Sequence, residues 1–200
     1  MCEEKKYIDY EHCEKIANKK IIAKFHQEII KSKNAPLGPN ELIPVLDNLK
    51  GEFNLPRIIR SANVFGCREV FVVGTEFFNP YPAVGAVRST RTRMFKTIKE
   101  ALAELEKMDY EIFALLPPSY GGRSLFECKY RSRTAFIAGH EERGLSFDIN
   151  DYPDLIKPVY IPQHGKIESL NVSVALSIAL AEWNRQNVFA GKAFAAIDKS

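Results

Sequence analysis

Two arginine side chains have the spacing to point from one helix face toward a ligand. They lie in the segment NLPRIIRSANVFG, residues 54–66, which starts with Asn54 and carries Arg57 and Arg60 three positions apart. Residues three apart share one face of a helix, so both guanidinium groups can point to the same side. A solvated arginine pair on an ordinary helix is the alternative, and this segment alone favours that alternative.

A carboxylate follows an apolar stretch in a second segment, FIAGHEERGLS at residues 136–146. The apolar stretch runs into Gly139, whose missing side chain permits a tight turn and the close approach of a ligand. Glu141 comes directly after this glycine and His140, and its carboxylate can pair with an arginine or accept hydrogen bonds from a ligand. An exposed charged turn is the alternative interpretation.

Polar residues also precede the last predicted helix, in IPQHGKIESLNVSVALSIALAEWNRQ at residues 161–186. Ser169 is a natural N-cap for a helix that we expect to start near residue 169 or 170, and helix N-termini offer free N–H groups. Asn171 would then lie in the first turn, where it adds a donor and an acceptor. His164 is a general base by type, but a lone loop histidine is more often incidental. Simple capping is the alternative for Ser169.

A run of positive charge lies between the first two segments. Residues 85–99 carry basic side chains and no acidic ones, namely Arg88, Arg91, Arg93, Lys96 and Lys99. A looser second cluster consists of Arg123, Lys129, Arg131 and Arg133. Clustered cations suit the phosphates of a nucleic acid. A solvated basic surface is the alternative, but the absence of acidic residues over this stretch favours an anionic polymer.

Short apolar runs alternate with helical patterns along the chain. We predict strands at 42–49, 69–73, 110–116, 134–138 and 158–161, and helices at 55–65, 97–108 and 170–186. This alternation predicts an α/β fold with a mostly parallel sheet and helices on both faces. Ligands of such sheets bind beyond the carboxyl ends of the strands, and all three polar segments follow strands.

Length and composition indicate one globular domain. The chain has 200 residues, of which 46% are hydrophobic and 26% charged, and its net charge is +3, which excludes disordered, collagen-like and coiled-coil classes. We predict an amphipathic helical extension at 1–38, from apolar spacing that includes Ile16, Ala17 and Ile29. The main domain is predicted at 39–190 and a tail at 191–200.

The cysteines and the amino terminus favour a cytoplasmic protein. None of the cysteines has the spacing of a zinc ligand, so we expect reduced thiols and no metal at Cys2, Cys13, Cys67 and Cys128. The first residues carry mixed charge without an apolar signal, and no stretch approaches the ~20 apolar residues of a membrane span. Secretion and membrane residence are therefore disfavoured.

Taken together and in this order, the three segments resemble the SpoU-type branch of the SPOUT superfamily, the knotted RNA 2′-O-ribose methyltransferases. The first resembles motif one (Asn, then Arg-Ser/Thr-Ala, then Phe-Gly) and the second motif two (Gly-x-Glu-x-x-Gly-Leu-Ser). The third is nearly complete as motif three (Ile-Pro-x-x-Gly, then Ser-Leu-Asn-Val-Ser, then Glu and Arg-Gln). The resemblance covers about residues 41–188 and is closest to the branch that methylates guanosine in tRNA or rRNA.

The resemblance implies a C-terminal deep trefoil knot, a rare exception to unknotted topology. It also implies that S-adenosylmethionine is held in the knot loops, largely by backbone groups. Carried over by position, the cofactor-binding residues are Leu115, Gly139, Ile161 and Leu170. Family members dimerise with motif-one residues of one subunit near the cofactor of the other, so we expect a homodimer.

The implied reaction is methylation of a ribose 2′-hydroxyl in RNA. Carried over by motif, the catalytic residues are Arg60, Asn54, Glu141, Ser169 and Asn171. We expect Asn54 and Glu141 to orient Arg60, which would grip the phosphate beside the reacting ribose, while Ser169 and Asn171 shape the ribose site. The residues expected to contact RNA are Arg57, Arg88, Arg91, Arg93 and Lys96.

Three residues depart from the family pattern. Pro56 and Arg57 stand where small residues are usual, and His140 stands where Ser, Asn or Ala is commoner. None of them replaces a matched catalytic residue, but Arg57 is bulky enough to affect the choice of substrate.

The same residues bear on two alternative functions and on the choice of RNA substrate. A knotted RNA-binding or assembly protein without catalysis is one alternative, and the intact catalytic set argues against it. A different nucleotide-binding enzyme is another, and it lacks support because no glycine-rich phosphate loop follows a strand. The short extension before residue 39 favours tRNA over rRNA as the substrate.

Overall fold

The computed structural model of the protein describes residues 19–167 and 169–190. Its strands are β1 (Leu42–Asp47), β2 (Val70–Val73), β3 (Thr92–Phe95), β4 (Glu111–Leu115), β5 (Arg123–Ser124), β6 (Thr134–Ala138) and β7 (Ile156–Tyr160). They form one sheet in the order β3-β2-β1-β6-β4-β7-β5, and every neighbouring pair is parallel. The predicted parallel sheet is therefore confirmed.

Helices connect and cover these strands. They are α1 (Lys19–Lys33), α2 (Asn54–Val64), α3 (Ala86–Ser89), α4 (Ile98–Lys107) and α5 (Val172–Asn187). Single 3-10 turns occur at Tyr81–Ala83, Pro118–Tyr120 and Ile149–Asp151.

The two faces of the sheet have separate apolar cores. Successive side chains of a strand point to opposite faces, so Leu42 and Leu46 of β1 pack on one side, and Ile43 and Val45 on the other. The first side is covered by apolar residues of α1, α2 and α5, and the second by those of α4. This confirms the prediction of helices on both faces.

Most of the predicted elements are present with boundaries shifted by a few residues, but two strands were not predicted. In β3 only Thr92 is buried, because this strand lies at the edge of the sheet and its sequence TRMF has no apolar run. The other, β5, has two residues and lies at the opposite edge. Hydrogen bonding to a neighbouring strand defines both, and this information is absent from local sequence.

Helix α1 lies at Lys19–Lys33, within the predicted amino-terminal extension, and its apolar residues pack into the core. Phe25 and Ile29 are buried, and the ring of Phe25 lies 4.9 Å from that of Phe77 and 5.0 Å from that of Phe78. Predictions that concern Ile16, Ala17, Cys2, Cys13 and the tail at 191–200 lie outside the described residues. The domain boundaries and the knot stay predictions.

The topology brings the polar segments to one edge. Strands β1, β6, β4 and β7 are consecutive neighbours in the sheet, and their carboxyl ends lie side by side. The loop after β1 leads to α2, the loop after β6 contains Glu141, and the loop after β7 leads to α5.

Candidate active site

Three of the predicted catalytic side chains meet at this edge. The carboxamide nitrogen of Asn54 donates a hydrogen bond to Oε1 of Glu141 over 2.6 Å. The carboxamide nitrogen of Asn171 donates to Oδ1 of Asn54 over 3.1 Å. Asn54 therefore joins the loop after β6 to the start of α5, and its own amide uses both its donor and its acceptor.

Helix α2 fixes the position of Asn54, which is its first residue. Leu55, Ile58, Ile59 and Ala62 are fully buried against the sheet, so this helix cannot rotate without exposing them. Pro56 lies in the first turn, where a helix leaves its N–H groups unpaired, and its missing donor therefore costs little.

The two arginines of α2 point away from the core. Arg57 is exposed, with its guanidinium carbon 5.7 Å from the centre of the Phe53 ring. Arg60 is exposed, and its guanidinium group makes no hydrogen bond or ion pair within residues 19–167 and 169–190. Asn54 and Glu141 are thus hydrogen-bonded to each other, and neither of them is hydrogen-bonded to Arg60. That these two residues orient Arg60 stays a prediction.

A tight loop presents Glu141. The N–H of His140 donates to the carbonyl of Gly144 over 2.8 Å, and the N–H of Gly144 donates back over 2.9 Å. A Cβ atom on Gly139 would lie 2.5 Å from the backbone of Gly144, so only glycine permits this closure. Within the described part of the chain, no lysine or arginine pairs with Glu141, whose carboxylate is left to the carboxamide of Asn54.

The neighbours of Glu141 have partners of their own. Nδ1 of His140 accepts the N–H of Glu142 over 3.1 Å, and burial lowers the pKa of this imidazole, so His140 is neutral at pH 7. The Glu142 carboxylate pairs with the ammonium group of Lys50 over 2.9 Å, and this contact lowers the pKa of Glu142. Nδ1 of His140 also lies 3.9 Å from Oε2 of Glu141, whereas the hydrogen bond of Asn54 is to Oε1.

The predicted cap of the last helix is wrong. Helix α5 begins at Val172, and its N-cap is Asn171, whose Oδ1 accepts the backbone N–H of Ser173 over 2.9 Å and its hydroxyl over 2.6 Å. A carboxamide caps as well as a hydroxyl does, and the side chain at the observed boundary is Asn171. Ser169 lies before the helix, is exposed, and makes no hydrogen bond among the described residues.

The residues predicted to bind the cofactor lie together along the same edge. Leu115 ends β4, Gly139 follows β6, and Ile161 follows β7, and these three strands are neighbours. Leu170 lies one residue before the N-cap of α5 and is 41% exposed. No backbone hydrogen bond within the described residues uses the N–H or C=O of Gly139, Ile161 or Leu170. Free backbone N–H and C=O groups after β6, after β7 and before α5 fit a ligand that is held mainly by the backbone.

The basic residues fall into two groups. Arg57, Arg88 and Lys96 are exposed. The guanidinium group of Arg91 donates twice to the carbonyl of Ala35, over 2.9 and 2.7 Å. That of Arg93 pairs with Glu104 over 3.0 Å and with Glu69 over 3.9 Å. Residues 85–99 contain no acidic side chain, but Arg93 finds two acidic partners in other parts of the chain.

A cleft of about 170 Å³ lies at the amino-terminal ends of the strands, on the side of the sheet away from the candidate site. Its lining comes from segments that precede strands, including Glu41, Arg68, Tyr110 and Arg133. It contains none of the predicted site residues. No cluster of three or more His, Cys, Asp or Glu side chains that could hold a metal ion occurs in the described part of the chain. Of the helices within it, none is long and apolar enough to cross a membrane.

One buried residue at the site edge was not predicted. Asp47 ends β1 with none of its surface exposed, and its carboxylate accepts hydrogen bonds from Ser146. An acidic residue at the end of a strand that is otherwise apolar is the sequence signal that could have identified it.

Comparison with known proteins assigns most of the chain to one family model. Residues 41–181 match the model described as the SpoU rRNA Methylase family. The 23S rRNA (guanosine-2'-O-)-methyltransferase RlmB of Xylella fastidiosa is 30% identical over 154 residues, which are 74% of this chain and 60% of that enzyme. The tRNA (guanosine(18)-2'-O)-methyltransferase of Aquifex aeolicus is 30% identical over 152 residues, which are 73% of this chain and 70% of that enzyme. The chain therefore spans less than two thirds of the Xylella enzyme.

Solved structures give the same result. The crystal structure of the A. aeolicus TrmH/SpoU tRNA modifying enzyme superposes with a TM-score of 0.67 at 25% identity, and the match covers 86% of each chain. A crystal structure of an RNA 2'-O ribose methyltransferase superposes with a TM-score of 0.66 at 28% identity, over 76% of this chain and 58% of that one.

Proposed function

Because the chain belongs to the SpoU rRNA methylase family, we propose that it transfers a methyl group from S-adenosylmethionine to a ribose 2′-hydroxyl of an RNA. The observation that carries the proposal is the hydrogen-bonded junction of Asn54, Glu141 and Asn171 at the ligand edge of the sheet. Each residue comes from a different motif, and the junction requires the whole fold. Relatives with the names of guanosine-2'-O-methyltransferases of 23S rRNA and tRNA support the reaction.

The free backbone groups after β6 and β7 and before α5 are the proposed binding site for S-adenosylmethionine. Gly139, Ile161 and Leu170 supply these groups, and Leu115 closes the site from β4. When bound there, the sulfonium supplies an electrophilic methyl group. The residues of the chain then need to hold the ribose oxygen in line and to favour loss of its proton.

Arg60 has the free guanidinium group for this second task. An arginine side chain stays protonated in proteins and has no acceptor, so Arg60 is a poor base. We assign it to the phosphate beside the reacting ribose, where its charge stabilises the developing alkoxide. Its exposure and its lack of an internal partner leave it available for RNA. Asn171 and the exposed hydroxyl of Ser169 would shape the ribose site.

The exposed groups near Arg60 support a homodimer. Helices α2 and α5 pack together, with the hydroxyl of Ser177 2.8 Å from that of Ser61. Each helix leaves a large apolar side chain in solvent beside this contact, Val64 at 74% exposure and Val174 at 47%. A second copy of the chain would cover them and would bring its own Arg60 close to the first copy's site.

Contacts of α5 support the proposed knot. The indole N–H of Trp183 donates to the carbonyl of Arg131 over 3.0 Å, and the Gln186 carboxamide donates to the carbonyl of Cys128 over 2.9 Å. The last helix is thus bonded to the connection between β5 and β6, and the proposed knot needs such contacts between α5 and an earlier loop.

We assign RNA contact to Arg57, Arg88 and Lys96, whose charges are exposed, and give Arg91 and Arg93 a secondary part because both have internal partners.

Transfer RNA is the proposed substrate. The crystal structure of the A. aeolicus TrmH/SpoU tRNA modifying enzyme, which superposes with a TM-score of 0.67, supports this choice. The free thiols of Cys67 and Cys128 fit the reducing cytoplasm, where we place the reaction.

The test is methyl transfer to tRNA and rRNA transcripts, with 2′-O-methylated nucleotides detected by mass spectrometry. Replacement of Arg60 (Arg60→Ala) should lower the rate by about 100-fold or more and leave the dissociation constant of S-adenosylmethionine nearly unchanged in calorimetry. Lys107→Ala, which changes an exposed cation at the end of α4, is the control and should keep the wild-type rate. Failure of the wild-type protein to methylate any RNA would contradict the proposed function, and equal loss of rate and cofactor affinity would contradict the role of Arg60.

A further inference from the structure

A buried carboxylate without a cation lies directly behind the candidate site. Asp47 is fully buried, and its Oδ2 accepts the backbone N–H of Ser146 over 2.7 Å. Its Oδ1 accepts the hydroxyl of Ser146 over 2.8 Å and the carboxamide N–H of Asn48 over 2.9 Å. No lysine or arginine pairs with Asp47 among the described residues. Burial raises the pKa of this carboxyl group, so its charge is costly to keep there.

The three donors explain why the residue type matters. A carboxylate offers only acceptors, and it can accept all three hydrogen bonds at once. An asparagine at this position would turn one of these acceptors into a donor, which would face the N–H of Ser146 or the amide of Asn48. An apolar residue would leave the Ser146 N–H without a partner in a buried position.

Ser146 ends the loop that carries Glu141. The loop begins at Gly139, which β6 fixes, and is pinched by the two hydrogen bonds between His140 and Gly144. A Cβ atom on Gly139 would lie 2.6 Å from the nitrogen of Leu145, so the two ends of the loop are in close contact. A shift of Ser146 is therefore passed on to Gly139 as well as to Glu141.

We propose that Asp47 is a positioning residue for this site, which holds Ser146 and thereby sets the place of Gly139 and the orientation of Glu141 toward Asn54. The inference rests on the proposed function for its effect on turnover. Its structural half, that Asp47 holds the loop, stands on the hydrogen bonds alone.

The experiment compares Asp47→Asn with wild type in single-turnover methyl transfer and in hydrogen exchange of the peptide 139–146. We expect the rate at saturating RNA to fall about tenfold or more, because misplacement of a reacting group by about 1 Å has effects of that size. The KM for RNA should stay within about twofold, since the exposed basic residues are untouched. Exchange should rise in 139–146 and not in β4 or β7.

Two further variants protect the test from a folding failure. Ser146→Ala removes only the hydroxyl and should give a smaller change in the same direction, and Ser146→Thr restores the hydroxyl and should recover most of the rate. Asp154→Asn, an exposed aspartate, is the matched control and should behave as wild type.

Several results would overturn the proposal. One is wild-type exchange in the loop of Asp47→Asn, and another is a rate within about twofold of wild type. A third is increased exchange throughout the sheet with a rate that falls only as the folded fraction falls, which would show a merely structural role. A wild-type protein that methylates no RNA would instead refute the proposed function, while loop exchange would still decide whether Asp47 holds Ser146.

Discussion

Asn171 uses its two polar ends for different purposes. Its oxygen caps α5 by accepting the N–H of Ser173, and its nitrogen donates to Asn54. Asn171→Ala should lower the free energy of unfolding by about 1 kcal/mol through loss of the cap, and should also lower methyl transfer. Asn171→Asp keeps the capping oxygen and loses the donor, so it should retain stability and remain slow. Urea unfolding and a methyl-transfer assay separate the two effects. Full activity in Asn171→Asp would show that the bond to Asn54 has no role.

The neutral imidazole of His140 makes the site loop sensitive to acid. Burial lowers the pKa of His140 in the folded protein below the ordinary value of 6.5. As the pH falls below about 6.5, the unfolded chain therefore binds more protons than the folded chain does. The contribution of His140 to the free energy of unfolding is fully present above pH 6.5 and is lost as the pH falls below it. His140→Asn keeps an acceptor for the Glu142 N–H and should reduce this decrease between about pH 7 and pH 5. Urea unfolding across that range is the measurement.

The control for this prediction is His164→Asn, which changes an exposed histidine of the loop before α5. It should leave the pH dependence of stability as in wild type. An unchanged dependence in His140→Asn would mean that acid acts through other groups.

At the scale of elements, α1 supplies buried apolar side chains to the core, as the helices that connect the strands do. Phe25 is 5% exposed and makes edge-to-face contacts with Phe77 and Phe78. Phe25→Ala should lower the free energy of unfolding by about 3–5 kcal/mol, because it leaves a cavity in this cluster. Ile30→Ala, on the same helix at 62% exposure, should change it by less than about 0.5 kcal/mol. Equal stability of both variants in urea unfolding would show that α1 is only appended.

The same scale shows what the sequence could predict. Strands such as β1 and β6 consist of buried residues, so their apolar runs identify them without knowledge of their neighbours. The edge strand β3 has one buried residue, Thr92, and becomes a strand because it pairs with β2. The start of α5 was misplaced because Ser169 and Asn171 are both good caps, and only the packing of the helix chooses between them.

For the site, residue types were predictable and partners were not. Asn54, Glu141 and Asn171 follow strands, and this placed them at one edge of the sheet. The order of bonding among them depends on the exact rotation of α2 and α5, which local sequence does not specify. Arg93 shows the limit most clearly, since its partners Glu69 and Glu104 come from outside the basic segment.

At the scale of the whole molecule, the proposed dimer predicts complementation between inactive subunits. Within one chain Asn171 bonds to Asn54, whereas Arg60 has no partner in the described residues. If Arg60 serves the site of the partner subunit, a heterodimer of Arg60→Ala and Asn171→Ala contains one intact site. Such a heterodimer, co-expressed with two affinity tags, should have about half of the wild-type activity.

The homodimers of each variant, purified in the same way, are the controls and should have little activity. Activity of the heterodimer no higher than that of its parents would place Arg60 in the site of its own chain. Light scattering of the wild-type protein measures the dimer itself.

The strand order also governs when this protein becomes competent during its synthesis. Leu42 of the central strand β1 pairs with Thr134, and Asn54 meets its partner Asn171 at the start of the last helix. Pairing between such distant parts of a chain is slow, and here it must wait until the ribosome has released them. The face of β1 that carries Leu42 and Leu46 meets α1 and α2 early, but its last cover, α5, emerges only at the end. A translation product that ends before residue 172 lacks α5. It therefore cannot hold Asn171 in its hydrogen bond with Asn54 at the site.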